Sequence, residues 1–354
     1  MAIRNPIKIL SLPSRHPYTS KFDNGRDFTF VNPDTDLLGT GFYNPSFYQK
    51  NNPPQKYDLV HVHFSFDSVP LPKFKKLLSY FKTVGKPIVW TLHSKESQRV
   101  RNLGNGQYQK LLFNYADKII SPTEGAKKWL EKKFGTHKRG VPVIPLGFIV
   151  HPDHVKKENK GVIKSKNVFT FLVGEFRENK EFVQSIINFL HCSELRSVKL
   201  QVIFKPINIY RKKYGKLRPE IIDFLKIIKD PRIIKISLPN IPNEVITKAF
   251  LKSHAIILPY KWGTHSGQIE LAKDCGCHVV VSNVGFYKEQ WNKVRLYDVL
   301  DGKYEEYPKR FTEALIEVYG EQSLNPAGHG RKIEFEKIIQ EHIKAYEEIL
   351  NNKS

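Results

Sequence analysis

The chain is poor in sulfur-containing residues and has no long apolar run. It holds three cysteines and one methionine among 354 residues. A small, odd number of cysteines does not build a disulfide framework and is typical of a reducing compartment. No apolar run reaches the roughly 18 residues of a membrane-spanning helix, and the first residues lack the apolar core of a signal peptide. We therefore expect a cytoplasmic protein, which could bind the inner face of a membrane only as a peripheral protein.

Acidic residues are scarce relative to basic ones. The sequence has 57 Lys and Arg against 35 Asp and Glu, which gives a formal net charge of +22. The basic excess is spread over residues 1–300, and only residues 301–354 carry more acidic than basic side chains. Such a balance suits nucleic acid, an anionic membrane surface or phosphorylated substrates. The alternative is a lysine-rich surface that is merely solvated.

Short apolar runs alternate with amphipathic stretches, which predicts an α/β fold. The length favours two domains. Strand patterns such as "IKILSL", "YDLVHVHF", "KPIVWTLH", "DKIISP" and "VPVIPLG" fill residues 1–150, and a second series starts at "VFTFLVG". Residues 151–167 lack periodicity and are predicted to be a linker. The second domain is then 168–325, followed by a charged helix in 326–354.

The stretch "YKWGTHSGQIELAKD" follows the strand pattern "AIILPY" and precedes a helix. Its glycines allow a close approach of the backbone, and the start of a helix offers N–H groups to an anion. A simple connection between a strand and a helix does not need this composition. The stretch therefore predicts a phosphate-binding turn, with Glu270 one turn into the helix beside it.

Six segments in this order resemble the GT-B glycosyltransferases of the large retaining family 4 type: "DLVHVHF", "KPIVWTLH", "ADKIISPTEGAKKWL", "VIPLG", "FLVGEFRENK" and "HAIILPYKWGTHSGQIELAKDCGCHVVVSNVGFYKEQ". The resemblance covers nearly the whole chain. It implies two Rossmann-like, doubly wound domains that face each other across a cleft. The N-terminal domain then binds the acceptor, the C-terminal domain binds the nucleotide-sugar, and the last helix packs back on the N-terminal domain.

On the donor side, the resemblance implies that Glu270 hydrogen-bonds the ribose hydroxyls of the nucleotide. A solvated helix carboxylate is the alternative. The turn that would face the diphosphate consists of Gly263, Thr264, His265, Ser266 and Gly267. A first family glutamate, eight residues before Glu270, is replaced by Trp262, which either stacks on a sugar or base or packs in the core.

The resemblance also implies cations that face the diphosphate. Lys180 matches the family lysine, although a surface lysine is the alternative. Glu175 stands where the family commonly has arginine, and Arg177 two residues later is the expected substitute. A departing nucleoside diphosphate needs a fixed cation because its negative charge grows as the bond breaks.

On the acceptor side, His93 matches a histidine that contacts the donor sugar and helps catalysis in similar enzymes. Lys95 and Arg99 follow it and would receive an anionic acceptor. Arg15 and His16, in the loop after the first strand, are further acceptor candidates, although the usual Gly-Gly is absent. His61 and His63 alternate on a strand, where we expect structural histidines.

The predicted function is transfer of a sugar, with retention, from a nucleotide-sugar to an acceptor hydroxyl in glycan, polysaccharide or glycolipid biosynthesis. No divalent metal or other cofactor is expected, because the Asp-x-Asp signature of the other glycosyltransferase architecture is absent and the "DTD" at 34–36 lacks its strand context. The alternative is a nucleic-acid-binding or scaffold protein with a GT-B fold that has lost its catalytic activity, although no nucleic-acid motif is found. A sugar-nucleotide epimerase is a third reading.

Overall fold

The structure, a computed structural model, describes residues 5–32, 44–63, 69–95, 106–298 and 307–351. The chain divides into two compact units. Unit 1 holds the N-terminal part up to Ile149 and the chain from Lys332 onward, and unit 2 holds Val150–Arg331. We describe each unit separately.

The sheet of unit 1 contains the strands β1 (Ile7–Leu12), β2 (Phe28–Phe30), β3 (Leu59–Val62), β4 (Ile88–Thr91) and β5 (Lys118–Ile120). All neighbours pair in parallel in the order β2-β1-β3-β4-β5. The first strand therefore lies inside the sheet. The chain adds β2 on one side of β1 and then β3, β4 and β5 on the other side, so the strand order reverses between β1 and β3. In doubly wound sheets, ligands bind at the carboxyl ends of the strands beside such a point.

The helices of unit 1 are α1 (Pro17–Ser20), α2 (Pro45–Asn51), α3 (Leu71–Thr83), α4 (Gln107–Tyr115) and α5 (Glu124–Phe134), with a short 3₁₀ turn at Pro54–Lys56. α5 begins where the Thr123 side chain accepts from the Ala126 N–H, and it ends at Gly135, as capping rules predict.

The last helix, α14 (Gly328–Leu350), contributes most of its length to unit 1. Its buried residues recur every three or four positions, as in an amphipathic helix: Ile338, Ile339, His342, Tyr346 and Ile349. These apolar residues share one core with strand residues such as Phe28, Leu59 and Val89. The core of unit 1 is therefore completed by the C-terminal end of the chain.

The sheet of unit 2 contains the strands β6 (Ser165–Gly174), β7 (Lys199–Phe204), β8 (Ile233–Ser237), β9 (Ser253–Leu258), β10 (His278–Ser282) and β11 (Arg295–Tyr297). They pair in parallel in the order β11-β10-β9-β6-β7-β8. The first strand again lies inside the sheet, so the switch point of unit 2 lies between β6 and β9.

The helices of unit 2 are α6 (Pro152–Glu158), α7 (Phe182–His191), α8 (Ile207–Tyr214), α9 (Pro219–Ile227), α10 (Asn243–Lys252), α11 (Gly267–Cys275), α12 (Tyr287–Gln290) and α13 (Tyr307–Gly320), with a 3₁₀ turn at Ser193–Leu195. A core of strand and helix residues includes a group of edge-on phenylalanines, in which Phe224 lies 5.1 Å from Phe176 and 5.2 Å from Phe204 between ring centroids. Phe176 anchors the loop that follows β6.

The α/β prediction is confirmed, and the structure differs from it in detail. "VPVIPLG" is not a strand: Val143 makes one isolated bridge to Ser121, since the two prolines cannot donate to a ladder. The residues predicted to be an irregular linker begin with helix α6, whose first turn carries Pro152. Strands β2 and β11 were not predicted, because three residues are too few for a readable alternation.

Of the helices within the described residues, none combines the length and the apolar character that crossing a membrane requires.

Candidate functional site

The segments that follow β6 and β9 are joined at the switch point of unit 2. Lys180 and Tyr260 form an isolated antiparallel bridge. The Glu181 N–H donates to the Pro259 carbonyl at 2.8 Å, and the Lys261 N–H donates to the Asn179 carbonyl at 2.8 Å. The structure therefore brings the predicted lysine next to the predicted glycine turn, because neighbouring parallel strands end at the same edge.

The side chain of Lys180 is buried, with 7% of the residue exposed. Its Nζ donates to the carbonyls of Leu172 at 2.6 Å and Val173 at 3.3 Å, at the carboxyl end of β6, and it lies 5.8 Å from the centre of the Tyr260 ring. Burial, and then the nearby charge of Arg177, lowers the pKa of Lys180 from 10.5 to about 7. The surface-lysine alternative therefore does not describe this residue.

Because its pKa lies near neutrality, Lys180 should take up a proton when an anion binds beside it. At pH 8 the amine is mostly neutral, and a bound diphosphate favours the ammonium form. We expect binding of a nucleoside diphosphate at pH 8 to take up about one proton, and binding at pH 6 to take up far less. Calorimetric titration in two buffers of different ionisation enthalpy measures this uptake. Lys180→Met should abolish the uptake at pH 8, where the free phosphate is already deprotonated, and unchanged uptake by the variant at this pH would contradict the assignment.

The cations around Glu175 come from two segments. Arg177 is exposed, and its Nε lies 3.9 Å from a Glu175 carboxylate oxygen. Lys205, directly after β7, donates to the other oxygen at 2.8 Å. The structure therefore places two basic groups on the glutamate that occupies the family's arginine position. Sequence reasoning missed Lys205, whose only signal was its place at the end of a strand.

The turn at 263–267, which we call the glycine turn, is mostly buried. Thr264, His265 and Ser266 are each less than 8% exposed, whereas Gly267 at the first position of α11 is exposed. The hydroxyl of Ser266 accepts from the Gln268 N–H at 3.2 Å and thereby caps α11. The exposed Gly267 therefore presents the positive end of α11 to solvent.

Glycine is required in and beside the glycine turn for packing. A Cβ on Gly263 would overlap the Tyr287 hydroxyl, and a Cβ on Gly285 would press on the Thr264 carbonyl at 2.8 Å. The Phe286 N–H also donates to the Thr264 carbonyl at 3.0 Å. The segment after β10 therefore packs directly against the glycine turn.

Glu270 is neither solvated nor directed to a surface. Its side chain is 3% exposed, and one carboxylate oxygen accepts from Arg331 Nη2 at 2.7 Å. The other oxygen accepts from Gln290 Nε2 at 2.9 Å. Arg331 also donates from Nε to Asp274 at 2.7 Å, and the second Asp274 oxygen accepts from the Val150 N–H at 3.2 Å. The helix face that carries both acidic residues is thus buried against one arginine.

Trp262 is half-buried, and its carbonyl accepts from Asn179 Nδ2 at 3.4 Å. Asn179 itself is 3% exposed, and its Oδ1 has no hydrogen-bond partner among the residues that the structure describes. Trp262 is therefore only partly covered by the protein and is not a fully buried core residue.

The carboxyl edge of the unit 1 sheet is lined by histidines. His93 lies two residues after β4, is 9% exposed and packs edge-on against Tyr18 at 4.3 Å between ring centres. His63, directly after β3, stacks on His61 at 3.8 Å, and burial lowers the pKa of both far below the usual value. His61 is structural, since its nitrogens contact the hydroxyls of Tyr346 and Thr91 at 2.7 and 2.8 Å.

The remaining acceptor candidates have different environments. His16 caps α1, because its Nδ1 accepts from the Tyr18 N–H at 3.1 Å, while Arg15 beside it is exposed. Lys95 is half-buried, and its carbonyl accepts weakly from the Gln109 amide at 3.4 Å. Arg99 lies outside the described residues. The charge of His16 acts on His63, so this loop and the histidines occupy one edge of the sheet.

Three further residues at the unit 2 site escaped sequence reasoning. Gln290 ends the short helix α12, and nothing in the sequence marks it. For Arg331 the sequence held one indirect signal. Glu270 and Asp274 lie four residues apart on one helix face, where a single cation can pair with both. Tyr260 contacts the Ser266 hydroxyl at 2.9 Å between side-chain oxygens. Among the described residues, no group of three His, Cys, Asp or Glu side chains is arranged to hold a metal ion.

Comparisons with known proteins agree with the motifs. Residues 14–150 match the model of Glycosyltransferase Family 4. Anabaena Alr3699/HepE, solved in complex with UDP, superposes with a TM-score of 0.58 at 12% identity, over 98% of this chain and 100% of that one. No curated protein matches the sequence significantly.

Trehalose-phosphate enzymes are also similar in structure. The α,α-trehalose 6-phosphate synthase of Burkholderia multivorans gives a TM-score of 0.53 at 14% identity, over 83% of this chain and 71% of that one. The E. coli protein bound with UDP-2-fluoro glucose gives 0.55 at 13% identity, over 87% and 76%. The predicted resemblance is thereby confirmed: the chain has the GT-B fold, and residues 14–150 carry the Glycosyltransferase Family 4 pattern.

Proposed function

We propose that the protein is a retaining glycosyltransferase that moves a sugar from a nucleoside-diphosphate sugar, bound by unit 2, to a hydroxyl group of an acceptor, bound by unit 1. The observation that carries the proposal is the placement of Lys180 beside the glycine turn at the switch point of unit 2. The match to Glycosyltransferase Family 4 and the structures solved with UDP and UDP-2-fluoro glucose support a donor of this class.

The chemistry assigned to unit 2 is stabilisation of the leaving group. The bond between the anomeric carbon and the β-phosphate oxygen breaks, and negative charge grows on that oxygen. Lys180 as ammonium and the N-terminus of α11 at Gly267 would oppose this charge. The acceptor oxygen attacks from the face that the diphosphate leaves, and its proton passes to the departing phosphate. Such a reaction needs no nucleophile from the protein and retains the configuration.

In unit 1, we assign to His93 the orientation of the sugar. Arg15, His16, Lys95 and Arg99 remain the proposed acceptor contacts, since an anionic acceptor would suit their charge. We place Glu270 differently: its buried carboxylate already accepts from Arg331 and Gln290, so its effect on the donor is exerted through the glycine turn.

A donor screen tests the proposal. UDP, GDP, ADP and their glucose, mannose and N-acetylglucosamine derivatives are tested for stabilisation of the protein against heat. The best donor is then incubated with sugar and sugar-phosphate acceptors, and the anomeric proton coupling of the product is read by NMR. Retention is expected, and activity should survive EDTA because the counter-charge comes from Lys180. An inverted product, or loss of activity that Mg²⁺ restores, would contradict the mechanism.

We further propose that the acceptor side of the enzyme docks on an anionic membrane. Helix α5 exposes Lys128, Lys132 and Lys133, and the Lys133 ammonium lies 5.0 Å over the half-buried ring of Trp129. Basic side chains beside an aromatic ring suit a surface of acidic lipid headgroups. Together with the net charge of +22, this face motivates a lipid-linked acceptor.

Charge reversal on α5 should release the protein from vesicles. Each lysine near an anionic surface contributes about 1 kcal/mol, so Lys128→Glu, Lys132→Glu and Lys133→Glu together should weaken binding about 100-fold or more. Sedimentation with phosphatidylserine vesicles measures this. The matched control reverses three exposed lysines of unit 2, Lys199, Lys235 and Lys252. Equal losses in the two triple variants, or equal binding of the wild type to neutral vesicles, would refute docking through α5.

A further inference from the structure

A continuous set of buried and partly buried hydrogen bonds leads from the start of α14 to the glycine turn, entirely within unit 2. Arg331 donates to Glu270 at 2.7 Å, and Glu270 accepts from the Gln290 side-chain amide at 2.9 Å. The same Gln290 amide contacts the backbone of Ser266. Glu270 and Arg331 are about 2% exposed, so solvent does not compete for the bond between them.

Gln290 holds Ser266 at two points. Its Oε1 accepts from the Ser266 N–H at 3.0 Å, and its Nε2 donates to the Ser266 carbonyl at 2.8 Å. A planar amide that binds both polar groups of one residue fixes the orientation of the two peptide planes on either side of it. Ser266 caps α11, and the next residue, the exposed Gly267, carries the first N–H of the helix. The direction of that N–H is therefore set by Gln290 together with the Ile269 N–H, which donates to the same Ser266 carbonyl at 3.1 Å.

We propose that Gln290 is the positioning residue of the anion-binding end of α11, and that Glu270 and Arg331 hold its side chain in the required orientation. The ligand it serves is the diphosphate of a nucleoside-diphosphate donor, so the inference rests on the proposed function. Preorganised donors are worth more than mobile ones, because no reorganisation is needed when the charge develops. Neither α12 nor Gln290 had any assigned role in the sequence pattern.

Removal of the Gln290 amide should weaken donor binding selectively. Gln290→Met keeps the length of the side chain and removes both hydrogen-bonding groups. We expect the Kd for UDP to rise at least about tenfold, because a tenfold change corresponds to the free energy of about one ordinary hydrogen bond. Calorimetry on the folded protein measures the Kd. The KM for the donor should rise in parallel, whereas the KM for the acceptor should stay within about twofold.

Gln201→Met is the matched control. Gln201 lies in β7 of the same unit, is 6% exposed, and donates to Thr170 at 3.0 Å, Ser253 at 3.2 Å and the Ala249 carbonyl at 3.3 Å. This variant loses a comparable set of hydrogen bonds and is destabilised in a similar way. Its affinity for UDP should nevertheless equal that of the wild type.

An exchange of the two side chains separates charge repulsion from the loss of the Ser266 bonds. Gln290→Glu places two carboxylates together and should weaken UDP binding more than Gln290→Met does. Adding Glu270→Gln removes the repulsion between the two positions, but the Ser266 carbonyl still lacks its donor, because a carboxylate only accepts hydrogen bonds. The double variant should therefore bind UDP more tightly than Gln290→Glu and no more tightly than Gln290→Met.

The outcomes separate the inference from the proposed function. If the wild type binds neither UDP nor another nucleoside diphosphate, the proposed function fails and the inference fails with it. If the wild type binds UDP and Gln290→Met binds it equally well, the inference alone is overturned. Equal weakening by Gln290→Met and Gln201→Met would also overturn it, because the effect would then be one of general stability.

Discussion

Arg331→Met should lower the free energy of unfolding by about 3–5 kcal/mol, the cost of removing one partner from a buried ion pair. The Arg331 side chain is 2% exposed, and its two carboxylate partners are 3% and 2% exposed. Methionine fills much of the volume but leaves Glu270 and Asp274 as buried charges four residues apart on one helix. Chemical denaturation followed by circular dichroism measures the loss.

The matched control for this prediction is Arg295→Met. Arg295 also binds two carboxylates, Glu317 at 3.1 Å and Glu321 at 2.6 Å, but its side chain is 44% exposed. Exposed pairs contribute at most about 1 kcal/mol, so this variant should unfold nearly like the wild type. Equal losses in Arg331→Met and Arg295→Met would show that burial does not decide the strength of the Arg331 pair.

A compensated variant tests the cause of the loss. Adding Glu270→Gln and Asp274→Asn to Arg331→Met removes the uncompensated charges while keeping the shapes. Because the buried charges account for most of the cost, the triple variant should be more stable than Arg331→Met alone. If the triple variant is no more stable than Arg331→Met, uncompensated charge on Glu270 and Asp274 is not the cause of the loss.

Lys180→Met should lower kcat by about 10²–10³-fold, by analogy with the removal of one preorganised donor from a developing oxyanion. The donor KM should change less, because the charge that Lys180 opposes grows only as the glycosidic bond breaks. The matched control is Lys261→Met, which removes an exposed lysine from the adjoining segment after β9 that pairs with Glu181 at 3.1 Å. That variant should keep kcat within about twofold.

The stability of Lys180→Met should rise although its kcat falls. A folding defect would lower both, so this combination excludes it as the cause of the lost activity. The folded protein holds the pKa of Lys180 at about 7, while the unfolded chain has the ordinary value of 10.5. Between these values the unfolded chain binds more protons, so wild-type stability rises with pH in this window. At pH 7 the wild type loses stability because Lys180 gives up part of its charge on folding, and Lys180→Met does not have this loss. It should unfold at a higher temperature than the wild type at pH 7, and the difference should shrink toward pH 10.

Two results would contradict this account of Lys180. If Lys180→Met raises only the donor KM, Lys180 is a binding residue and Arg177 becomes the better candidate for the catalytic cation. If the variant is both inactive and less stable than the wild type at pH 7, the buried amine stabilises the carbonyl ends of β6 and has no separate role in the reaction.

The sequence by itself determined the features that depend on local pattern. Alternation of apolar strands and amphipathic helices predicts two parallel sheets, and the same pattern predicts that segments after neighbouring strands meet. The resemblance to the GT-B family, and not the alternation, implied that Lys180 and the glycine turn share one site, and in the structure the segments that carry them are joined by a bridge between Lys180 and Tyr260. The N-cap at Ser266 and the glycine after α11 follow from nearest neighbours alone.

The environment of each charged side chain was decided by the tertiary structure. The sequence predicts that the Glu270 carboxylate lies beside a ligand. In the structure it pairs with Gln290 and Arg331, which are 20 and 61 residues away along the chain. No local pattern encodes which helix face a distant segment will cover. Burial also turned Lys180 from an ordinary surface cation into an amine with a pKa of about 7. Desolvation depends on every neighbour in space, and for that reason only the folded chain fixes the charge of its own site.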